Sequence, residues 1–163
     1  MNQLSLSEKK PVLPAVFAAP FRLIPSRFHS KGLAVILNRI LIQQIREGDL
    51  DFLQGRSLQI RVTDAGISYY LSMRKEKLIE LPEIKAADLR VESSVYDFLN
   101  LAARQEDPDT LMFQRRLVMQ GDTELGLELK NFLDGLDIES SGFFSAIESI
   151  LHKGLPIYRR VFG

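Results

Sequence analysis

Apolar and polar positions alternate along two segments near the middle of the chain. Leu58, Ile60 and Val62 alternate with Gln59, Arg61 and Thr63, and Ile67, Tyr69, Leu71 and Met73 alternate with Ser68, Tyr70 and Ser72. A period of two puts each apolar set on one face, so both segments predict half-buried strands. Asp64-Ala65-Gly66 between them predicts a short hairpin connection with glycine in the left-handed position. A third strand is expected over 77–81, ended by Pro82, and a weaker fourth over 87–92 from Leu89 and Val91. Residues 113–120 read as a last strand with Phe113, Leu117 and Met119 on one face, broken at Gly121.

Helical spacing takes over on either side. From Ser30, the residues Leu33, Ile36, Leu37, Ile40, Leu41 and Ile45 share one face, Val35 and Ile42 widen it, and Gly48 is the stop. Ser94 and Asp97 have the spacing of a capping box opening a helix over 95–104, with Val95, Phe98, Leu99 and Ala102 on its inner face. The segment 105–109 reads as a solvated acidic loop. Asp122 is placed to cap a final helix striped by Leu125, Leu129, Phe132 and Leu133 and ended by Gly135 in a left-handed cap. Gly126, in its second turn, costs about 1 kcal/mol relative to alanine. It marks either a close helix–sheet contact or a gap left for a bound apolar molecule.

The order helix, strands, helix, strand, helix is that of an α+β domain, expected over residues 30–136. Residues 1–29 form an apolar arm in which Pro11, Pro14, Pro20 and Pro25 prevent a continuous helix, and its apolar run is too short to span a bilayer. Lys9-Lys10 before 12–19 faintly resembles a secretory signal, but Pro14 interrupts the apolar run and Glu8 spoils the basic lead. The arm reads either as a cover laid over the domain or as a greasy flap near a lipid entrance. Residues 137–163 form an amphipathic tail, in which Ser141 caps a helix with Phe143, Phe144, Ile147, Ile150 and Leu151 on one side. Phe143, Phe144 and Ile147 with Arg159 and Arg160 suit an anionic bilayer surface, and a helix docked on the domain or on a partner fits as well.

Composition narrows the functions. Lys and Arg total 21 against 21 Asp and Glu, so no overall field draws the chain to nucleic acid. There is no cysteine, and His29 and His152 lie in no metal-ligand spacing. With no triad, phosphate loop or isolated acid–base pair in view, neither an enzyme nor a metal or other cofactor is expected. Tyr69 and Tyr70 carry hydroxyl donors that suit a ligand oxygen, although strand tyrosines are usually packing residues.

Three stretches carry a resemblance: the hairpin 64–66 feeding the aromatic strand Ile67–Met73, the helix at 94–101, and the ending Leu117–Leu125 with its Gly121-Asp122. Together they resemble the sterol carrier protein 2 (SCP2) domain family over roughly 31–136, and 107–132 is similar to the bacterial ubiquinone biosynthesis accessory factors within it. The resemblance implies an SCP2-like fold, an about five-stranded mixed sheet with helices covering one face around an apolar lipid cavity. It further implies a cytoplasmic protein, peripheral to the inner membrane, that binds isoprenoid ubiquinone precursors and phospholipid. Such a protein would serve oxygen-independent ubiquinone synthesis beside iron–sulfur hydroxylases.

The sheet face and two helix stripes point to a lipid-binding wall of Phe98, Leu101, Ala102, Leu111, Met112, Phe113, Leu117, Met119, Leu125, Gly126, Leu129, Phe132 and Leu133. Met112 and Met119 stand out because a flexible thioether adapts to irregular partners. An ordinary solid core of the same residues is the competing reading, and a protein adaptor or a general phospholipid or fatty-acid carrier are the competing functions.

Overall fold

The structure, a computed structural model, describes residues 26–136. The proline-rich arm and the amphipathic tail expected from sequence lie outside them. Helix α1 (Ser26–Ile40) begins earlier than its apolar stripe, and helix α2 (Ile42–Glu47) follows after an interruption at Leu41. The hydrogen-bond ladder runs through the break, with Leu41 N–H donating to Leu37 O and Ile45 N–H to Leu41 O, both at 2.8 Å. The expected single helix is therefore two segments in near continuity. Gly48 ends the second at φ +83°, where glycine avoids the Cβ penalty. Ser30 is not a cap. It is buried, and its Oγ accepts from Tyr70 N–H at 2.9 Å, tying α1 to the sheet.

After a single 3₁₀ turn at Asp51–Leu53 come strands β1 (Leu58–Val62), β2 (Ile67–Met73), β3 (Leu78–Glu80) and β4 (Leu89–Ser93). With β5 (Val118–Gly121) they form one sheet in the order β3-β2-β1-β4-β5, parallel at β1–β4 and antiparallel elsewhere. The register sets Ile60 opposite Tyr69 and beside Val91, and Leu58 opposite Leu71 and beside Leu89, so the alternating apolar positions of three strands share a face. Asn38 of α1 covers the outer edge of β3, its Nδ2 donating to Leu78 O at 2.7 Å and its Oδ1 accepting from Leu78 N–H at 2.8 Å.

Helix α3 (Val95–Ala102) is capped twice: Ser94 Oγ accepts from Asp97 N–H at 3.1 Å, and Asp64 Oδ1 accepts from Val95 N–H at 3.0 Å. The capping box stops halfway, because the buried Asp97 carboxylate is taken by Arg116, whose Nε lies at 3.0 Å. The same guanidinium donates from Nη1 to Glu106 Oε1 at 2.6 Å.

The acidic segment is thus neither loose nor followed at once by a strand. Asp107 caps a short helix α4 (Pro108–Phe113), accepting from Thr110 N–H at 2.9 Å, and Pro108 occupies the first turn. Asp109 pairs with Lys130 at 3.0 Å. The strand predicted over 113–120 begins only at Val118, after Arg115 turns the chain at φ +57°. Helix α5 (Thr123–Gly135) then lies against the sheet, and Gly135 stays helical, so the left-handed ending expected there does not form. The core gathers Leu58, Met73, Leu89, Val91, Leu111, Leu117, Leu125 and Leu129.

Candidate functional site: an apolar cavity between sheet and helices

The close of β5 sets the position of α5. Gly121 has φ +126°, and a Cβ there would lie 2.3 Å from the Asp88 carbonyl oxygen. Only glycine lets the two strand ends meet that closely, and Asp122 N–H donates to the same carbonyl at 2.8 Å. The Asp122 carboxylate caps α5 by accepting from Leu125 N–H at 2.9 Å and also binds the Arg56 guanidinium. That amide, and then the guanidinium, hold the carboxyl below the usual aspartate range. Asp88 is lowered likewise, by the Ser57 N–H at 2.7 Å and the Ser57 hydroxyl at 2.8 Å.

Held this way, the helices do not close over the sheet. They leave a cavity of about 490 Å³. Leu58, Ile60 and Val62 of β1, Tyr69 and Leu71 of β2, and Val91 of β4 make its floor. Leu33, Leu37, Ile40 and Leu41 wall one side. Val95, Phe98, Leu99, Leu101 and Ala102 come from α3, and Leu129, Phe132 and Leu133 from α5, with Leu136 just beyond it. Leu99 lines the cavity yet is 52% exposed, which puts an opening along α3. A site this apolar, within the range of about 300–1,000 Å³ usual for small-ligand pockets, is suited to hydrocarbon. A second groove of about 580 Å³ adjoins it, sharing Phe132 and Leu136 and adding the polar side chains of Gln44, Asp49, Glu128 and Asn131. Among the described residues no cluster of three or more His, Cys, Asp or Glu could hold a metal, and no helix is long and apolar enough to cross a membrane.

Residues 37–134 match the family model described as the SCP-2 sterol transfer family. The chain belongs to the SCP-2 sterol transfer family. Over 126 residues it is 39% identical to the ubiquinone biosynthesis accessory factor UbiT of Escherichia coli strain K12, covering 77% of this chain and 72% of that protein. The same identity and coverage hold for the UbiT of Escherichia coli O157:H7. A solved structure described as a UbiJ-SCP2 ubiquinone synthesis protein superposes with a TM-score of 0.54 at 22% identity, covering 66% of this chain and 89% of that one, a likeness of fold. The resemblance read from the sequence, and the α+β SCP2-like fold it implied, are both confirmed.

Within this SCP-2 domain the thirteen residues singled out from sequence separate. Phe98, Leu101, Ala102, Leu129, Phe132 and Leu133 line the cavity. Leu111, Leu117 and Leu125 are buried in the solid part of the core, and Met119 packs against it. Gly126 faces Leu89, whose Cδ1 would stand 3.5 Å from an added Cβ, an ordinary contact. Met112 and Phe113 project from α4, and Phe113 is 92% exposed. The tail residues Phe143, Phe144, Ile147, Arg159 and Arg160 lie outside the described residues. What sequence reasoning left unassigned is the α1 wall and the β1–β2 floor: their stripes were legible, but a stripe does not say which helix it faces across a gap.

Proposed function

We propose that this chain is a non-catalytic accessory factor that takes isoprenoid quinone precursors into its apolar cavity and presents them for oxygen-independent ubiquinone biosynthesis. The observation that carries the reading is the cavity itself, hydrocarbon-lined and open beside α3. Burial supplies affinity: ten methylenes withdrawn from water contribute about 8 kcal/mol, enough to offset much of an association cost of about 4–15 kcal/mol. A long prenyl chain fills the cavity with part of its length. Similarity to proteins named as ubiquinone biosynthesis accessory factors supports the choice of ligand. Delivery is to ubiquinone biosynthesis proteins, iron–sulfur hydroxylases among them, in the cytoplasm at the face of the inner membrane. In this reading Phe143, Phe144, Ile147, Arg159 and Arg160 make the peripheral contact, and phospholipid is a second ligand.

Organic extraction of the protein purified from cells grown without oxygen, followed by mass spectrometry, tests this. Enrichment of isoprenoid quinone intermediates over total cell lipid is expected, and an extract without it would contradict the proposal. Liposome flotation of the chain cut after Leu136 tests the tail, where undiminished binding would remove its membrane role. A second reading, an adaptor that binds other proteins, is favoured by the exposure of Phe113 beside Met112 on α4. A pull-down that survives delipidation and is lost with Phe113→Ser would support it.

A further inference from the structure

Among the described residues that line the cavity, every side chain is hydrocarbon except Tyr69. The β2 register places it on the floor, opposite Ile60 and on the same face as Leu71. Its ring meets His29 of α1 edge-on, with centroids 6.4 Å apart. Its hydroxyl makes no hydrogen bond to any described residue, in contrast to Tyr70 on the other face, whose hydroxyl accepts from Gln59 Nε2 at 3.3 Å. Burial alone pushes the Tyr69 phenol above its ordinary range.

The position gives the cavity a direction. Two residues along β2 from Tyr69, about 6.8 Å away, Leu71 faces Leu58, near the end where Gln54 bridges Met73. There the lining turns to Leu53 and Phe132, whose ring packs on Phe52 at 6.3 Å. Tyr69 and His29 stand toward the opposite end, near the β1–β2 hairpin and the start of α3. Among the described residues that line the cavity, one end therefore holds its single hydroxyl and the other is hydrocarbon up to Phe132. Tyr69 is half-buried, and a ligand that fills the cavity takes water from its hydroxyl, so a ligand oxygen placed against it supplies the hydrogen bond that filling removes. Among the described residues no lysine or arginine lines the cavity, so an ionised head group would lose its water there without a counter-charge from them.

We propose that the Tyr69 hydroxyl is the specificity-determining anchor of the cavity, binding an uncharged hydroxyl or carbonyl oxygen on the ligand head while the hydrocarbon tail runs over Leu71 toward Phe132. This rests on the isoprenoid reading above and adds to it an orientation and a head-group class. Tyr69→Phe isolates the claim, because it keeps the ring and its contact with His29 and removes one oxygen. The probes are a polyprenylphenol and the polyprenylbenzene of the same chain length, each titrated into delipidated full-length protein by displacement of a fluorescent lipid. The wild type binds the phenol about fivefold to tenfold more tightly than the benzene, and Tyr69→Phe binds both with the affinity of the benzene. A wild type that binds both compounds equally, or a Tyr69→Phe protein that keeps the preference, overturns the anchor and leaves the isoprenoid reading standing. A wild type that binds neither compound overturns both.

Discussion

Two glycines five residues apart make opposite predictions. At Gly121 an alanine methyl would sit 2.3 Å from the Asp88 carbonyl oxygen, on a backbone at φ +126° that L-residues rarely adopt. That oxygen is not free to retreat, because it accepts from Asp122 N–H at 2.8 Å and the helix cap is built on the next bond. Backbone strain of about 1–3 kcal/mol and overpacking of similar size sum to a loss of roughly 2–6 kcal/mol for Gly121→Ala. At Gly126 the methyl would meet Leu89 Cδ1 at 3.5 Å in a regular helical backbone, so Gly126→Ala gains up to about 1 kcal/mol of helix propensity. Urea titration followed by circular dichroism measures both, with the midpoint moving at constant slope if only native stability changes. Ligand titration separates their effects further: Gly121→Ala displaces the start of α5 and so lowers affinity, whereas Gly126→Ala leaves it unchanged, since Gly126 does not line the cavity. A Gly121→Ala protein that loses less than about 1 kcal/mol, or a Gly126→Ala protein that loses that much, would refute the reasoning.

Three further changes test other joints of the fold. Asn38→Ala removes both hydrogen bonds to Leu78, and a loss of about 1–3 kcal/mol with faster amide exchange at Leu78 is expected, exchange at the wild-type rate arguing against the clamp. Arg116→Met leaves the Asp97 and Glu106 carboxylates without their cation; because Arg116 and Glu106 keep some solvent contact, the loss is about 2–4 kcal/mol, not the full cost of a buried charge, and a midpoint unchanged in urea would contradict it. Asp88 and Asp122 have folded-state pKa values lowered below the unfolded one, so their contribution is complete above about pH 4 and is lost as pH falls through the lowered values. The acid limb of a stability–pH profile should flatten in Asp122→Ala, and a profile parallel to the wild type would refute this assignment.

Local rules made much of this architecture legible. Alternation located β1 and β2 within a residue, Gly66 does adopt positive φ in the hairpin, and Ser94 and Asp122 cap the helices assigned to them. The stretch around Phe113 went astray because its alternating apolar residues mimic a strand, although Asp107-Pro108 already carries the cap and first-turn signature of a helix. Once α4 forms, Leu111 turns inward and Phe113 outward, so two neighbouring apolar residues that looked alike in sequence part ways. The Asp97–Arg116 pair, nineteen residues apart in sequence, has no local signal at all. The cavity was legible as a surplus of apolar faces but not as a list, since α1 and the floor of β1 and β2 meet across space that no periodicity describes.

The central claim, that this space takes a lipid, is tested most directly by native mass spectrometry of the full chain beside its Ile60→Trp variant, which fills the middle of the floor. The account predicts one bound lipid per wild-type chain and an empty, folded variant. Equal lipid occupancy in the two proteins would contradict it.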